Sequence, residues 1–167
     1  MRTVVKAGGI AVADDDAPRR PILSRMDTRP AILLAASDAA DTIEREFRAR
    51  YDRDYRIEML PDAATTLARL GELVEDGVAI AMLGAERALP DATGLELLRA
   101  TQPLAPAARR VTLLVPGEYV DAIDEMRLAM LRRDIDTFVG VPRGTRDEEF
   151  HIALTELLSE WGWSVAG

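Results

Sequence analysis

Val78-Ala79-Ile80-Ala81-Met82-Leu83 is apolar throughout, and Glu86-Arg87-Ala88-Leu89-Pro90-Asp91-Ala92-Thr93-Gly94 follows it almost at once. A six-residue apolar run with no polar alternation reads as a strand buried on both faces, which in practice means the middle of a parallel sheet. The stretch after it carries Pro90 and Asp91, turn residues, and then Thr93-Gly94 ahead of an apolar period at Leu95, Leu97 and Leu98. A strand, a loop and a short helix are therefore expected from Val78 to Ala100, ended by Pro103 and Pro106.

The same alternation runs outward in both directions. Ala31–Ala36 gives a first strand, and Asp38–Tyr51 a helix with Ile43, Phe47 and Tyr51 on one face. Tyr55–Leu60 is a more polar strand, as at a sheet edge. Pro61 opens a helix carrying Leu67, Leu70 and Val74, which Gly77 stops. After the central unit come a strand over Arg110–Val115, a helix over Glu118–Arg133 with Ile123, Met126, Met130 and Leu131, and a strand over Asp136–Val141. A last helix over Asp147–Trp161 carries Phe150, Leu154, Leu157, Leu158 and Trp161 on one stripe. Five β/α units of this kind predict an α/β, flavodoxin-like doubly wound parallel sheet of five strands in the order 2-1-3-4-5 with five helices. Residues 1–28 lack a sustained period and contain Asp14-Asp15-Asp16, Pro18 and Pro21, so they read as a flexible extension before a domain at 29–161, with 162–167 as a tail.

Composition removes several classes of function. The chain has 167 residues and is 48% hydrophobic, enough for a core without staples. It has no cysteine and a single histidine, His151, which leaves no thiolate chemistry and little material for a metal cluster. A net charge of −8 speaks against nucleic acid as a partner, because phosphate contacts need a dense basic face. No apolar run reaches the length of a membrane span and no signal-peptide core is evident, so a cytoplasmic protein is expected. Lys6 is the only lysine among the 21 basic residues.

The pattern resembles the response-regulator receiver family (CheY-like). In receivers an aspartate ends the third strand, a proline follows four residues later and a glycine eight residues later, and Glu86, Pro90 and Gly94 keep that spacing. Arg29-Pro30, Arg45–Tyr51, Arg109–Leu114 and Leu157–Trp161 are similar to the amino-terminal receivers of fused response regulator and thioredoxin-reductase-like flavoproteins. Such fusions carry GxGxxG loops and a Cys-x-x-Cys pair downstream, and this chain has neither. No reductase activity carries over, so the chain is either a freestanding relative or the front piece of a longer protein.

The resemblance implies a set of site positions, and this chain departs from the family at each. A working receiver holds Mg²⁺ with acids after the first strand, attacks phosphorus with the aspartate, and contacts the phosphoryl group with a hydroxyl after the fourth strand and a lysine after the fifth. Here only Asp38 remains of the acids, with helix capping the favoured reading of it. Glu86 replaces the nucleophile, and its extra methylene displaces the oxygens by about 1 Å, which spoils an in-line attack that depends on placement. It reads either as a permanent acidic mimic or as a tolerated surface carboxylate. Val115 replaces the hydroxyl, and Val141-Pro142 replaces the Lys-Pro pair; Arg143, beyond the proline, is the nearest cation. By analogy with receivers the Val141-Pro142 bond is expected to be cis, or else an ordinary trans bond ending a strand.

A degenerate receiver follows as the expectation: no enzyme, no cofactor, no bound Mg²⁺, and a regulatory protein-interaction module in phosphorelay-type signalling. The alternatives are a functional phosphoacceptor with unusual residues and a small flavodoxin-like cofactor binder. The partner is expected to be an effector protein, a homodimer mate or a thioredoxin-reductase-like flavoprotein module. Tyr119, Met126, Arg127 and Met130 on the fourth helix are the interface candidates, with core burial as the competing reading of the methionines. The basic run Arg45, Arg48, Arg50, Arg53 and Arg56 reads as a solvated face. His151 reads as a surface or boundary residue and Trp163 as exposed.

Overall fold

The structure, a computed structural model, describes residues 27–142 and 148–166. In chain order the elements are β1 (Ala31–Ala35), α1 (Ala40–Tyr51), β2 (Arg56–Leu60), α2 (Ala63–Glu75), β3 (Ile80–Glu86), α3 (Gly94–Ala100), β4 (Arg109–Leu114), α4 (Tyr119–Leu131), β5 (Thr137–Gly140) and α5 (Glu148–Ala166). The five strands form one sheet in the order β2-β1-β3-β4-β5, and every neighbouring pair is parallel. This is the doubly wound order that the alternation predicts.

Strand periodicity divides the core into two layers. Along β1 the side chains of Ala31, Leu33 and Ala35 face one way and those of Ile32, Leu34 and Ala36 the other. The first layer packs Leu33, Leu83 and Leu114 under α2, α3 and α4 through Leu70, Leu73, Leu98 and Met126. The second packs Ile32, Leu34, Val111 and Leu113 under α1 and α5 through Ile43, Phe47, Phe150, Leu154 and Trp161. The central strand β3 is buried along its whole length, which explains its unbroken apolar run. β2 lies at the edge, where polar Arg56 and Glu58 are tolerated. Beneath the α3–β4 connection the buried guanidinium of Arg110 donates to Thr101 Oγ1 at 3.0 Å and to the carbonyls of Ala108 and Ala105 at 2.8 and 2.6 Å. That connection is thereby tied to the sheet.

Several helix faces differ from the sequence expectation. α2 begins at Ala63, with Asp62 accepting the Thr65 amide at 2.7 Å as its cap, rather than at Pro61. Leu73 takes the buried place expected for Val74, which is 37% exposed. α4 buries Ala122, Met126 and Ala129 and turns Met130 and Leu131 outward. Two alanines on the buried face let the helix lie close to the sheet, and the bulkier residues then find room only on the outside. α5 runs on to Ala166, through the segment expected as a tail. No described peptide bond is cis, so Pro142 follows a trans bond and simply ends β5's extension. The extension expected at residues 1–28 falls almost wholly outside the described residues.

Candidate functional site

In an open parallel sheet the carboxyl ends of the strands meet where the winding reverses, here between β1 and β3. The residues expected at a receiver site are gathered there. Asp38 follows β1, Glu86 is the last residue of β3, Val115 follows β4, and Val141-Pro142 follow β5.

Glu86 is not a surface carboxylate. It is 2% exposed, and its two carboxylate oxygens accept backbone amides at the start of α1, Oε1 from Asp38 at 3.3 Å and Oε2 from Ala39 at 2.8 Å. The first amides of a helix lack intrahelical acceptors and carry the positive end of its dipole. Ala39 occupies the N-cap position of α1 and offers no side-chain acceptor, while Asp38 points to solvent and makes no cap. Glu86 supplies from the neighbouring strand what Asp38 was expected to supply locally. The longer side chain that spoils an in-line attack is the one that reaches these amides.

The loop after β3 does the same for a second helix. Asp91 accepts the amides of Ala63 at 2.8 Å and Ala64 at 2.9 Å, at the start of α2. Those two amide bonds, Ala63's first, hold its carboxyl below the usual aspartate range. In the sequence Asp91 reads only as a turn residue; the sole signal for its role is a second acid five residues past Glu86, in a loop flanked by helix starts. Between these two carboxylates the loop closes on itself through an Ala88–Thr93 bridge and a Leu89 N–H to Ala92 carbonyl bond of 2.9 Å. Thr93 and Glu96 then form a reciprocal capping box on α3. Gly94 is required for contact: a Cβ there would lie 2.1 Å from the backbone oxygen of Glu86.

Two further amides at the strand ends and the neighbouring cation are also engaged. The Val115 amide donates to Glu118 Oε1 at 2.9 Å, and the Val141 amide to the Leu114 carbonyl at 2.7 Å. Arg87, the cation next to Glu86 in sequence, pairs with Glu125 of α4 at 3.0 Å. Arg143, named as the nearest substitute for the family's lysine, lies outside the described residues.

Magnesium, which receivers hold at this place, does not fit these groups. An octahedral ion needs free anionic oxygens. Both oxygens of Glu86 are turned to amides, and Asp38 stands alone in solvent. Among the described residues no three His, Asp or Glu side chains gather around one point. A flavin phosphate fares no better, because the amides after β1 that would cradle it are held by Glu86. Beside the site, between the ends of β4 and β5 and the helices that follow them, lies a cavity of about 550 Å³ lined by Val115, Gly117, Tyr119, Phe138, Val141 and Phe150. Neither Glu86 nor Asp38 lines it.

Of the interface candidates on α4, Tyr119, Arg127 and Met130 are exposed, Tyr119 resting against Phe138 with ring centroids 5.7 Å apart. Met126 is fully buried under the helix and presents nothing to a partner, so its burial corrects that expectation. His151 is also buried rather than at the boundary: its Nε2 donates to Glu46 at 3.2 Å and its Nδ1 meets the Tyr51 hydroxyl at 3.2 Å, joining α1 to α5. Much of the basic run is engaged in ion pairs, Arg48 with Glu44 and Asp52, Arg50 with Glu148, and Arg56 with Asp27 and Glu58. Trp163 is exposed as expected.

By sequence the chain matches no family model and no curated protein. By structure it is similar to a signal receiver domain of an HD domain-containing protein from Pseudomonas fluorescens Pf-5, at 21% identity and a TM-score of 0.62, covering 83% of this chain and 93% of that one. The fold is that of response-regulator receiver domains. A CheY-like receiver from Methanospirillum hungatei JF-1 superposes with a TM-score of 0.61 at 19% identity, over 81% of this chain and 98% of the other. A chain described as an adenylate cyclase from Rhodopirellula baltica aligns at 12% identity and a TM-score of 0.63, over 83% and 93%. No helix among the described residues of this receiver fold is long and apolar enough to cross a membrane.

Proposed function

We propose that this chain is a pseudo-receiver, a regulatory protein-interaction module of two-component-type signalling that works without accepting a phosphoryl group. It is not an enzyme, it uses no Mg²⁺, and it acts in the cytoplasm on a protein partner. The observation that carries this reading is the double use of Glu86. A side chain in the nucleophile's position spends both carboxylate oxygens on the amides of Asp38 and Ala39. Transfer of a phosphoryl group to it would uncap α1, the described carboxylates form no cluster that would hold a metal against the arriving charge, and Arg87, the neighbouring cation, is paired with Glu125.

Three supports converge on the same reading. The hydroxyl position is Val115, the lysine position is Val141, and the amide of Val115 is already held by Glu118. An effector protein, a second copy of the chain and a thioredoxin-reductase-like flavoprotein module are the partner classes consistent with it.

Amide NMR of the ¹⁵N-labelled chain, titrated with Mg²⁺ and then with acetyl phosphate, tests the reading. The amides of Asp38, Ala39, Val115 and Val141 are expected to hold their positions throughout. Shifts that start at those residues and spread into α4 would show a responsive receiver and overturn it.

A further inference from the structure

The outer ridge of α4 is spelled almost as a palindrome. Val120, Asp124, Arg127 and Leu131 fall within a narrow arc of the helix opposite its buried Ala122, Met126 and Ala129. Val120 and Leu131 are 83% and 81% exposed, the largest exposures among the bulky apolar residues described. Asp124 and Arg127 between them are exposed, and neither has an ion-pair partner among the described residues, whereas the neighbouring Glu125 is held by Arg87. Val120 stands four residues before Asp124, and Leu131 four residues after Arg127.

We propose that this ridge is a twofold interface between two copies of the chain, in which α4 packs antiparallel against α4 of the second copy. The proposal rests on the reading of the chain as an interaction module and names the partner. A twofold axis running between the two helices, level with the midpoint between Asp124 and Arg127, sets each residue of the ridge opposite its complement. Val120 meets Leu131 of the other copy, Asp124 meets Arg127, and the reverse pairs repeat on the far side of the axis.

Charge along the helix points to the same occupant. Asp121, Asp124 and Glu125 lie in the first half of α4 and Arg127, Arg132 and Arg133 at or beyond its second half. Antiparallel pairing sets each acidic half against a basic half; a parallel pairing would set like against like. The contact is a single helix face, small for a protein interface, so the dimer is weak and concentration-dependent.

Sedimentation equilibrium of the whole chain up to about 1 mM tests this, with and without acetyl phosphate and Mg²⁺. All the substitutions lie on exposed positions, and circular dichroism verifies that each variant is folded. The wild type should associate equally in both conditions. Asp124→Arg and Arg127→Asp, each alone, should raise the dimer Kd about tenfold or more by placing like charges across the axis. The doubly swapped variant, carrying both changes, should recover the wild-type Kd. Leu131→Glu should leave a monomer. A wild type that stays monomeric in both conditions, single reversals without effect, or a swap that fails to restore association would each overturn the twofold interface. Association that needs the phosphoryl donor yet follows the charge-swap pattern would support the interface and overturn phosphorylation independence instead.

Discussion

Glu86 Oε2 lies 2.8 Å from the amide nitrogen of Ala39, so a buried carboxylate at the end of the third strand caps the first helix. The strand order is that of the receiver fold, and on the reading proposed above the carboxylate in the nucleophile's position serves the scaffold. The energetic weight of the cap can be measured.

Glu86→Ala removes two charge-assisted hydrogen bonds and leaves the Asp38 and Ala39 amides without acceptors, and it should cost about 2–3 kcal/mol. Glu86→Gln keeps one carbonyl oxygen and should cost about 1 kcal/mol. Urea unfolding of the three proteins reads both values. A neutral Glu86→Ala would mean that the cap contributes nothing.

Gly94 should be intolerant for a separate reason. An added Cβ would approach the Glu86 carbonyl oxygen to 2.1 Å, a backbone contact that no rotamer can relieve. Gly94→Ala should destabilise by about 3 kcal/mol or more, through displacement of the loop. A thermal melt within a degree of wild type would contradict the placement of α3 against β3.

The fold was legible in the sequence because its signals are cooperative: unbroken apolar strands, Pro and Gly boundaries, and a helical period between them. The order 2-1-3-4-5 follows from five such units. Faces of individual helices were less legible. In α4 the period Ile123, Met126, Met130 marks apolar residues but not which of them the sheet selects, and two alanines decided that in favour of Ala122 and Ala129. At the site, the identity of each position was readable and its use was not. Glu86 and Asp91 cap helices that begin far from them in sequence, and no local pattern encodes a contact made across the sheet. His151 escaped for the same reason, since Glu46 and Tyr51 that hold it lie on α1.

Acid should loosen the β3–α3 loop through Asp91. Its carboxyl titrates below the ordinary value because the Ala63 and Ala64 amides favour the charged form. A depressed folded-state pKa means that the carboxylate stabilises the fold above the ordinary aspartate pKa of about 3.9 and that this contribution is lost as pH falls through the lowered value. Asp91→Asn should therefore flatten the acid limb of a stability profile below about pH 4 while leaving its shape at neutral pH unchanged. Identical acid limbs in the two proteins would show that the amide contacts do not form.

Thr112 offers a gain. Its hydroxyl is fully buried in β4 and finds no hydrogen-bond partner among the described residues. Thr112→Val keeps the branched shape and removes the unpaired group, so it should raise stability by about 1 kcal/mol. A loss of that size would place an ordered water or another partner on the hydroxyl.

Tyr51 ties α1 to α5. Its hydroxyl meets His151 Nδ1 at 3.2 Å and Thr155 Oγ1 at 3.4 Å, and burial raises its pKa above the ordinary phenol range. A raised folded-state pKa gives stability that is complete below about pH 10 and is lost as pH rises through the folded value. Tyr51→Phe should cost about 1 kcal/mol at neutral pH and remove part of that alkaline loss. An unchanged neutral-pH stability would sever the network from the packing of the two helices.

Intact-mass spectrometry after incubation with acetyl phosphate and Mg²⁺ addresses the pseudo-receiver reading most directly. The account predicts the unmodified mass of the whole chain at every time point, for the wild type and for Glu86→Gln alike. An added phosphoryl mass in the wild type that is absent from Glu86→Gln would contradict it, because Glu86 would then be an acceptor rather than a cap.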